Sequence, residues 1–402
     1  MTPETDSQED PLFEIDADAE SEDDLEPSSP EATSTAVVTG TDWTAETILS
    51  QLDRGNIELN PRFQRRETWT DQRKSTFIES LILGLPIPQL VLAERPDKRG
   101  SYLVIDGKQR LIALRRFAAP ADQEDFPPLR LRKLEVRSDL DGMTLEQMRS
   151  SAELFEDVSA FENQTIRTVV VRAWPDENFL FRVFLRLNTG SVPLSPQELR
   201  QALHPGPFID FVDDWSASSE AIRAALKLKK PDFRMRDVEL LIRYFGFRYF
   251  LEAYNGNLKQ FLDFTCLSLN DLWEEDRDEL VDAAAACDEA IEAARRIFGT
   301  AAFRRYSESG VEGRFNRAVF DVMTFYFRDE QIRQQAEEKA DSVVSAFRDL
   351  CIGNPRFVES ITTTTKSIPA THGRLQLWGE ALGEAIGSDL HPPELEGNRI
   401  RV

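Results

Sequence analysis

Cysteine and histidine are scarce in this chain of 402 residues, at three of each. Cys266, Cys287 and Cys351 are well separated and fall in helix-like sequence, so neither a disulfide framework nor a cysteine-based zinc site is readable. They read as core thiols. His204, His372 and His391 lie far apart with no paired spacing, which removes the metal chemistry of HExxH and HNH motifs. No stretch approaches the roughly 18 apolar residues of a membrane span, and the acidic N-terminus lacks the cationic start and apolar run of a secretory signal. A soluble cytoplasmic protein is expected. Positive charge is also in deficit: 48 Lys plus Arg face 71 Asp plus Glu, a formal charge of -23. That balance argues against a protein that coats DNA through a generally basic surface.

The chain is 41% hydrophobic. At this length it can bury a sizeable core in two or three structural units. Its charge is unevenly spread. The first 36 residues hold 13 Asp or Glu and no Lys or Arg, so setting those 13 aside leaves -10 of the -23 for the rest. Between Arg54 and Arg116, 13 basic residues meet 7 acidic ones, a local +6 inside an acidic protein. An acidic average can therefore hide one anion site.

Residues 1 to about 36 are rich in Glu, Asp, Ser, Thr and Pro and read as a disordered acidic tail, because they cannot offset chain entropy by burial. From Trp43 the pattern predicts a short helix (Thr44 to Arg54), an extended Ile57 to Leu59 and a loop, Asn60-Pro61-Arg62-Phe63-Gln64-Arg65. Asp71 reads as the N-cap of a helix whose apolar residues Phe77, Ile78, Leu81 and Ile82 recur at helical spacing until Gly84 and Pro86. Leu90 to Ala93 and Tyr102 to Ile105 read as paired strands. Leu129 to Leu134 and Ile166 to Val171 read as further strands, with a helix near Leu145 to Ala160 between them. A helix ends at Leu187, and Ser195 with Glu198 makes a capping box with Pro196 at the first helical position.

Beyond about residue 205 the strand signals fade. Val238 to Tyr254, Leu258 to Leu269, Asp276 to Phe298, Phe315 to Arg328, Gln331 to Cys351 and Pro369 to Ile386 read as amphipathic helices. The run Val238 to Phe247 reads as helical core, and the alanines of Asp276 to Arg296 suit close packing against a neighbour or a second subunit. Thr362 to Thr365 with Lys366 reads as a polar loop.

Chemistry concentrates where Asp106-Gly107 switches the period from strand to helix. A strand, a tight turn and a helix N-terminus can hold an anion, since the first N–H groups of a helix are unpaired and its dipole adds positive potential. Gly107 permits close backbone approach, Lys108 adds a point charge, and Arg110 offers a planar fork for phosphate oxygens. Gln109 could orient a water, as a Gln does in some phosphoryl-transfer sites. A bare structural turn explains the same residues, as does a solvated basic face.

Four motifs occur in one order: Asn60 to Arg65 followed by Trp69, Glu79-Ser80-Leu81-Ile82-Leu83-Gly84-Leu85-Pro86-Ile87-Pro88, Asp106-Gly107-Lys108-Gln109-Arg110, and Phe184-Leu185-Arg186-Leu187-Asn188-Thr189-Gly190. Together they resemble domain-of-unknown-function family 262, the N-terminal domain of GmrSD-type restriction systems, within the ParB/sulfiredoxin-like superfamily. The resemblance spans about residues 43 to 205, and the helical remainder is similar to the C-terminal half of stand-alone members. It implies an α+β chain: an acidic tail over 1–40, a ParB/sulfiredoxin-like α/β domain over 41–205 and an all-α domain over 206–402. It also implies a nucleoside triphosphate with Mg²⁺, met by Gly107, Gln109 and Arg110, with Asp106 capping the helix or helping to hold the metal. Gln64, Arg65, Asn188 and Thr189 would close the pocket. The family box usually has Gln where this chain has Lys108, and the HNH nuclease domain of restriction members is missing its histidines here.

The resulting expectation is a nucleotide-binding and NTP-hydrolysing switch or regulatory protein of a prokaryotic anti-phage, restriction-type defence or DNA-processing system. Asp106, Gln109 and Arg110 are its catalytic candidates, and a separate nuclease or effector its partner. A non-hydrolysing DNA-binding or adaptor module, contacting the DNA backbone through Arg62, Arg65, Arg66 and Lys74, is the rival reading. A self-contained nuclease is a third.

Overall fold

In the computed structural model, which describes residues 36–59, 69–187, 195–363 and 365–402, the N-terminal elements are β1 (Val37–Thr44), α1 (Ala45–Asp53), α2 (Asp71–Ile82), β2 (Leu90–Glu94), β3 (Tyr102–Asp106), α3 (Lys108–Ala118), α4 (Leu145–Arg149), α5 (Phe155–Asn163), β4 (Thr165–Arg172), α6 (Glu177–Leu187) and α7 (Pro196–Leu203). The four strands form one mixed sheet in the order β1-β4-β2-β3. β1 pairs antiparallel with β4, β4 runs parallel to β2, and β2 pairs antiparallel with β3 through a bulge between Val91 and Leu92.

The run Leu90-Val91-Leu92-Ala93 is apolar at every position because both faces of the sheet are covered. Leu90, Leu92, Tyr102, Ile166 and Val170 join one core with Ile48 of α1, Ile78 and Leu81 of α2, Leu114 and Phe117 of α3 and Phe161 of α5. Val91, Ala93, Leu103, Ile105 and Val171 join a second core with Leu180 and Phe181 of α6 and Leu199 of α7. Each such side chain contributes about 1.5–3 kcal/mol by leaving water. β3 therefore ends between two helical layers, and the turn at its end is held from both sides.

Several local expectations change. The N-cap of α2 is Thr70, whose hydroxyl accepts the Arg73 N–H at 3.3 Å, and Asp71 is the first helical residue. A carboxylate at the first helical position still suits the dipole. Leu129 to Leu134 is no strand, and Lys133 within it has a left-handed backbone with φ of +53°. Its polar backbone is served elsewhere: Leu129 N–H goes to Arg116 O, Arg132 N–H to Ser75 Oγ, and Leu131 exchanges bonds with Gly142 and Met143. β1 was invisible in the sequence because it is an exposed edge without clean alternation; its pairing with β4 supplies the order. The expected helix near Leu145 to Ala160 is two, with a 3₁₀ turn at Ala152–Leu154 between them. The acidic tail falls on residues 1–36, of which 1–35 lie outside the described residues.

The remaining elements are α8 (Pro207–Ser218), α9 (Glu220–Ala225), α10 (Arg236–Tyr249), α11 (Leu258–Phe298), β5 (Tyr306–Ser307), β6 (Gly310–Val311), α12 (Arg317–Phe327), α13 (Glu330–Glu338), α14 (Ala340–Gly353), α15 (Pro355–Thr362), α16 (Ile368–Ile386), β7 (Glu394–Glu396) and β8 (Arg399–Arg401). By compactness the chain forms two units, divided between Leu203 and His204, with Phe233–Met235 grouped with the first. The second unit is helical, with two small antiparallel hairpins, β5-β6 and β7-β8, that the all-α expectation omitted.

Its axis is α11, a single helix of 41 residues where the sequence suggested two. No Gly or Pro interrupts Leu258 to Phe298, so nothing stops the hydrogen-bond ladder over its length of about 60 Å. Buried Ala283, Ala284, Ala290, Ala293 and Ala294 let neighbours come close, and α11 packs on α8, α9, α10, α12, α13 and α14. At Gly246 of α10 an added Cβ would sit 2.8 Å from Phe261 and 2.9 Å from Thr265, so the close crossing of α10 and α11 requires glycine. The Val238 to Phe247 run is buried throughout, and all three cysteines are buried. Inside this core Arg243 of α10 grips Asp321 of α12 through bonds of 3.0 and 2.5 Å, and Arg374 of α16 reaches the same carboxylate at 3.5 Å. The expected Gln331 to Cys351 helix breaks at Lys339 into α13 and α14. No helix of the described residues is long and apolar enough to cross a membrane.

Glu79 is the pin of the N-terminal unit. Its buried carboxylate on α2 accepts the backbone N–H groups of Glu135, Val136 and Arg137 at 3.2, 2.8 and 2.7 Å. Charge-assisted bonds of this kind contribute about 1.5–3 kcal/mol. Glu79→Gln keeps the shape but loses the charge and one acceptor oxygen, and should lower stability by about 2 kcal/mol in urea unfolding. An unchanged midpoint would show that the segment is held by its leucines alone.

Candidate functional site

The junction of β3 and α3 is built on Gly107. Its φ of +101° lies in the left-handed region, and a Cβ there would collide with the Leu90 side chain of β2. Any other residue would strain the backbone and press on the buried Leu90 side chain. Gly107 is also the N-cap of α3, so no side chain caps the helix, and the first intrahelical bond runs from Leu111 N–H to Gly107 O at 3.0 Å. No acidic residue stands in the first turn. The helix thus presents its N-terminal amides with their positive potential uncompensated by a cap.

Successive residues of this first turn point about 100° apart and reach three different neighbours. Arg110 folds back toward the sheet: its Nη2 donates to Asp106 Oδ2 and to Gln89 O, both at 3.0 Å. Arg110 is only 5% exposed, and its Nε–H is buried with no acceptor among the described residues. Gln109 accepts the Trp69 backbone N–H at 3.3 Å, leaving its amide NH₂ to donate. Lys108 turns toward α7, where its Nζ lies 2.5 Å from Glu198 Oε1 with both side chains buried.

Glu198 has two tasks. Its second oxygen accepts the Ser195 N–H at 2.8 Å while Ser195 Oγ accepts the Glu198 N–H at 3.1 Å, the capping box expected from the sequence, with Pro196 opening the helix. One carboxylate therefore ties the start of α7 to the start of α3. Sequence reasoning saw the cap and missed the ion pair, since nothing in the chain links positions 90 residues apart. Lys108, expected to meet phosphate, is placed against this internal partner.

Beside Gln109, the start of α2 gathers cations. Trp69 meets Phe77 edge-on at 5.6 Å, and the Arg73 guanidinium lies 5.0 Å over the Trp69 ring. Asp71 is bonded by Arg116 at 3.0 Å and flanked by Arg132 at 3.3 Å and Lys74 at 3.6 Å. Burial pushes its carboxyl up, but Arg116, Lys74 and Arg132 outweigh that and hold it below the ordinary value. Lys74, expected on a DNA backbone, is 1% exposed, with its ammonium 3.6 Å from Asp71. Arg62, Gln64, Arg65, Arg66, Asn188 and Thr189 lie outside the described residues. Of the proposed site residues, Asp106, Gly107, Lys108, Gln109 and Arg110 are brought to one turn.

Residues 45–205 match the model of the family described as GmrSD restriction endonuclease, N-terminal domain. No curated protein and no solved structure matches the chain.

Two outcomes follow from this geometry. Removing one partner of a buried pair strands the other charge, so Lys108→Met should cost about 3–5 kcal/mol, whereas Lys108→Met with Glu198→Met should recover much of the loss. A double-mutant cycle by urea unfolding measures it, and additive losses would show that the two charges do not sense each other. For Asp71, the folded carboxyl titrates below its unfolded value of 3.8, so its contribution is complete above that pH and is lost as pH falls through the folded value. Asp71→Asn should lower the melting temperature at neutral pH and flatten its decline in acid.

Proposed function

We propose that this chain, whose residues 45–205 form a GmrSD-type N-terminal domain, is a nucleotide-binding regulatory component of a restriction-type defence system, with the phosphates seated at the turn from β3 to α3. The observation that carries the reading is Arg110: a buried guanidinium whose Nε–H has no acceptor, beside an uncapped helix N-terminus. Phosphate oxygens fit both needs at once, through the first amides of α3 and the Arg110 fork.

Asp106 then acts as a stand-in. In this turn its carboxylate neutralises Arg110. An arriving phosphate competes for that guanidinium, and the carboxylate it releases suits Mg²⁺, which is bound through one or two carboxylates together with phosphate oxygens. The metal would supply charge neutralisation along the polyphosphate. The amide NH₂ of Gln109 is available to orient a water, its carbonyl being held by Trp69. Lys108 keeps α7 in register with this turn, so the departure from the family's Gln costs the pocket no ligand. Nucleotide state would be read by whatever moves with α7, and a separate effector would act on it.

The rival DNA-binding reading has less support, because Lys74 is committed to the interior. Isothermal titration with CTP, GTP and ATP, each with Mg²⁺, tests the proposal. At least one should bind, and Arg110→Ala should abolish that binding; silence from all three nucleotides would sink it. Gln109→Ala should slow any hydrolysis more than it weakens binding, and equal losses would remove the water-orienting role.

A further inference from the structure

The long helix α11 gathers its neighbours on one side, where Cys266, Leu269, Trp273 and Leu280 are buried, and keeps a face in solvent on the other. At about 100° per residue, Leu267, Asp271, Glu275, Asp278, Glu279 and Asp282 all fall within about 60° of Phe264 around the helix. All seven are exposed. The first turns of this face are apolar. Phe264 is 45% and Leu267 48% exposed, Leu272 at the margin is 37% exposed, and Phe250, which follows α10, meets Phe264 edge-on at 5.2 Å. Such side chains gain by leaving water, yet close to half of Phe264 and of Leu267 stays in it.

From Asp271 onward the face is acidic. Between Asp271 and Asp282 seven carboxylates stand against one guanidinium, Arg277, a local -6. Arg277 points off this face, 5.8 Å from the Trp273 ring, and none of the seven carboxylates is ion-paired among the described residues. Arg248 of α10 approaches through Tyr249: its guanidinium lies 5.4 Å from that ring, and Glu279 lies by the Tyr249 hydroxyl. Counting Arg248 still leaves 7 - 2 = 5 negative charges. Asp271 with Glu275, Glu274 with Asp278, Glu275 with Glu279 and Asp278 with Asp282 are like charges one turn apart, and each pair weakens the helix. At mid-helix the dipole gives them no support. Breaks of a local rule without compensation inside the fold concentrate at functional sites.

We propose that this face of α11 docks a basic amphipathic helix of a partner protein, apolar where it meets Phe264, Leu267 and Phe250 and rich in Lys or Arg where it runs along Asp271 to Asp282. At 1.5 Å per residue the carboxylates begin about 10 Å and end about 27 Å beyond Phe264, so the partner carries about three turns of cations next to its apolar anchor. Charge decides against other occupants. A second copy would set like charge on like charge, and a nucleic acid or an anionic membrane would be repelled. Each arriving cation meets a carboxylate with no internal ion pair to break. The docking holds whether or not a nucleotide binds at Gly107.

The probe is a fluorescent amphipathic helix of Leu and Lys, about 18 residues and so about 27 Å long, titrated with the full chain by anisotropy. Its controls are a peptide of the same composition scrambled to break the apolar stripe and a helix of Leu and Glu. The Leu/Lys helix should bind and the Leu/Glu helix should not, and Phe264→Ser with Leu267→Ser should weaken binding at least about tenfold. Glu275→Gln with Asp278→Asn should weaken it too, while relief of repulsion raises the melting temperature of the free chain by about 2–4 °C. All four positions are exposed, so neither variant removes a core contact. No binding of the Leu/Lys helix, equal binding of the scrambled peptide, or undiminished binding by both variants overturns the proposal, the last two because attraction to the overall acidity would then suffice. An unchanged melting temperature in Glu275→Gln with Asp278→Asn would show the carboxylates already compensated, and overturns it as well.

Discussion

A left-handed backbone at Gly107, pressed against Leu90, is the constraint from which the N-terminal unit takes its functional geometry. It lets the edge strand β3 pass directly into a helix with no side chain over the helix end. Because the first three helical residues then radiate about 100° apart, each must meet a different layer. Lys108 reaches α7, Gln109 the start of α2, and Arg110 the sheet through Asp106 and Gln89. A Cβ at position 107 would press on the Leu90 and Arg110 side chains.

Charge within this unit is arranged by the same layering. Four of the thirteen basic residues are turned inward and matched: Lys108 on Glu198, Arg110 on Asp106, Arg116 and Lys74 on Asp71. Buried pairs contribute little net stability, because desolvation offsets most of the attraction, but they penalise wrong arrangements heavily. Lys108 with Glu198 therefore acts as a register mark between two segments, and Arg110 with Asp106 ties the first turn of α3 to the end of β3. A basic count in sequence is thus a poor guide to a basic surface.

The helical unit obeys a related economy with a different outcome. Arg243, Arg374 and Asp321 satisfy one another inside the core. Arg248 and Arg328 instead lie against aromatic rings, with the Tyr244 hydroxyl on Arg248 and the charge of Asp329 acting on Arg328. Aromatic faces attract a guanidinium by about 0.5–2 kcal/mol, less than a paired carboxylate in the same setting would.

Local pattern in the sequence was enough for α1, β2, β3, the start of α3, β4, the Ser195 capping box and the helical character beyond residue 205, because periodicity, caps and glycine positions act over a few residues. It also pointed to Asp106 through Arg110 as one turn. It misjudged what long-range contacts decide: β1 exists because β4 pairs with it, and Leu129 to Leu134 is no strand because α2 and a loop take its hydrogen bonds. Nor could it foresee that Lys74 and Lys108 face inward, since a lysine's charge reads the same whether water or a carboxylate surrounds it. Only tertiary structure chose those partners, bringing Glu198 to Lys108 and Asp321 to Arg243, because the energy of a charge depends on its surroundings in space and not on its neighbours in the chain.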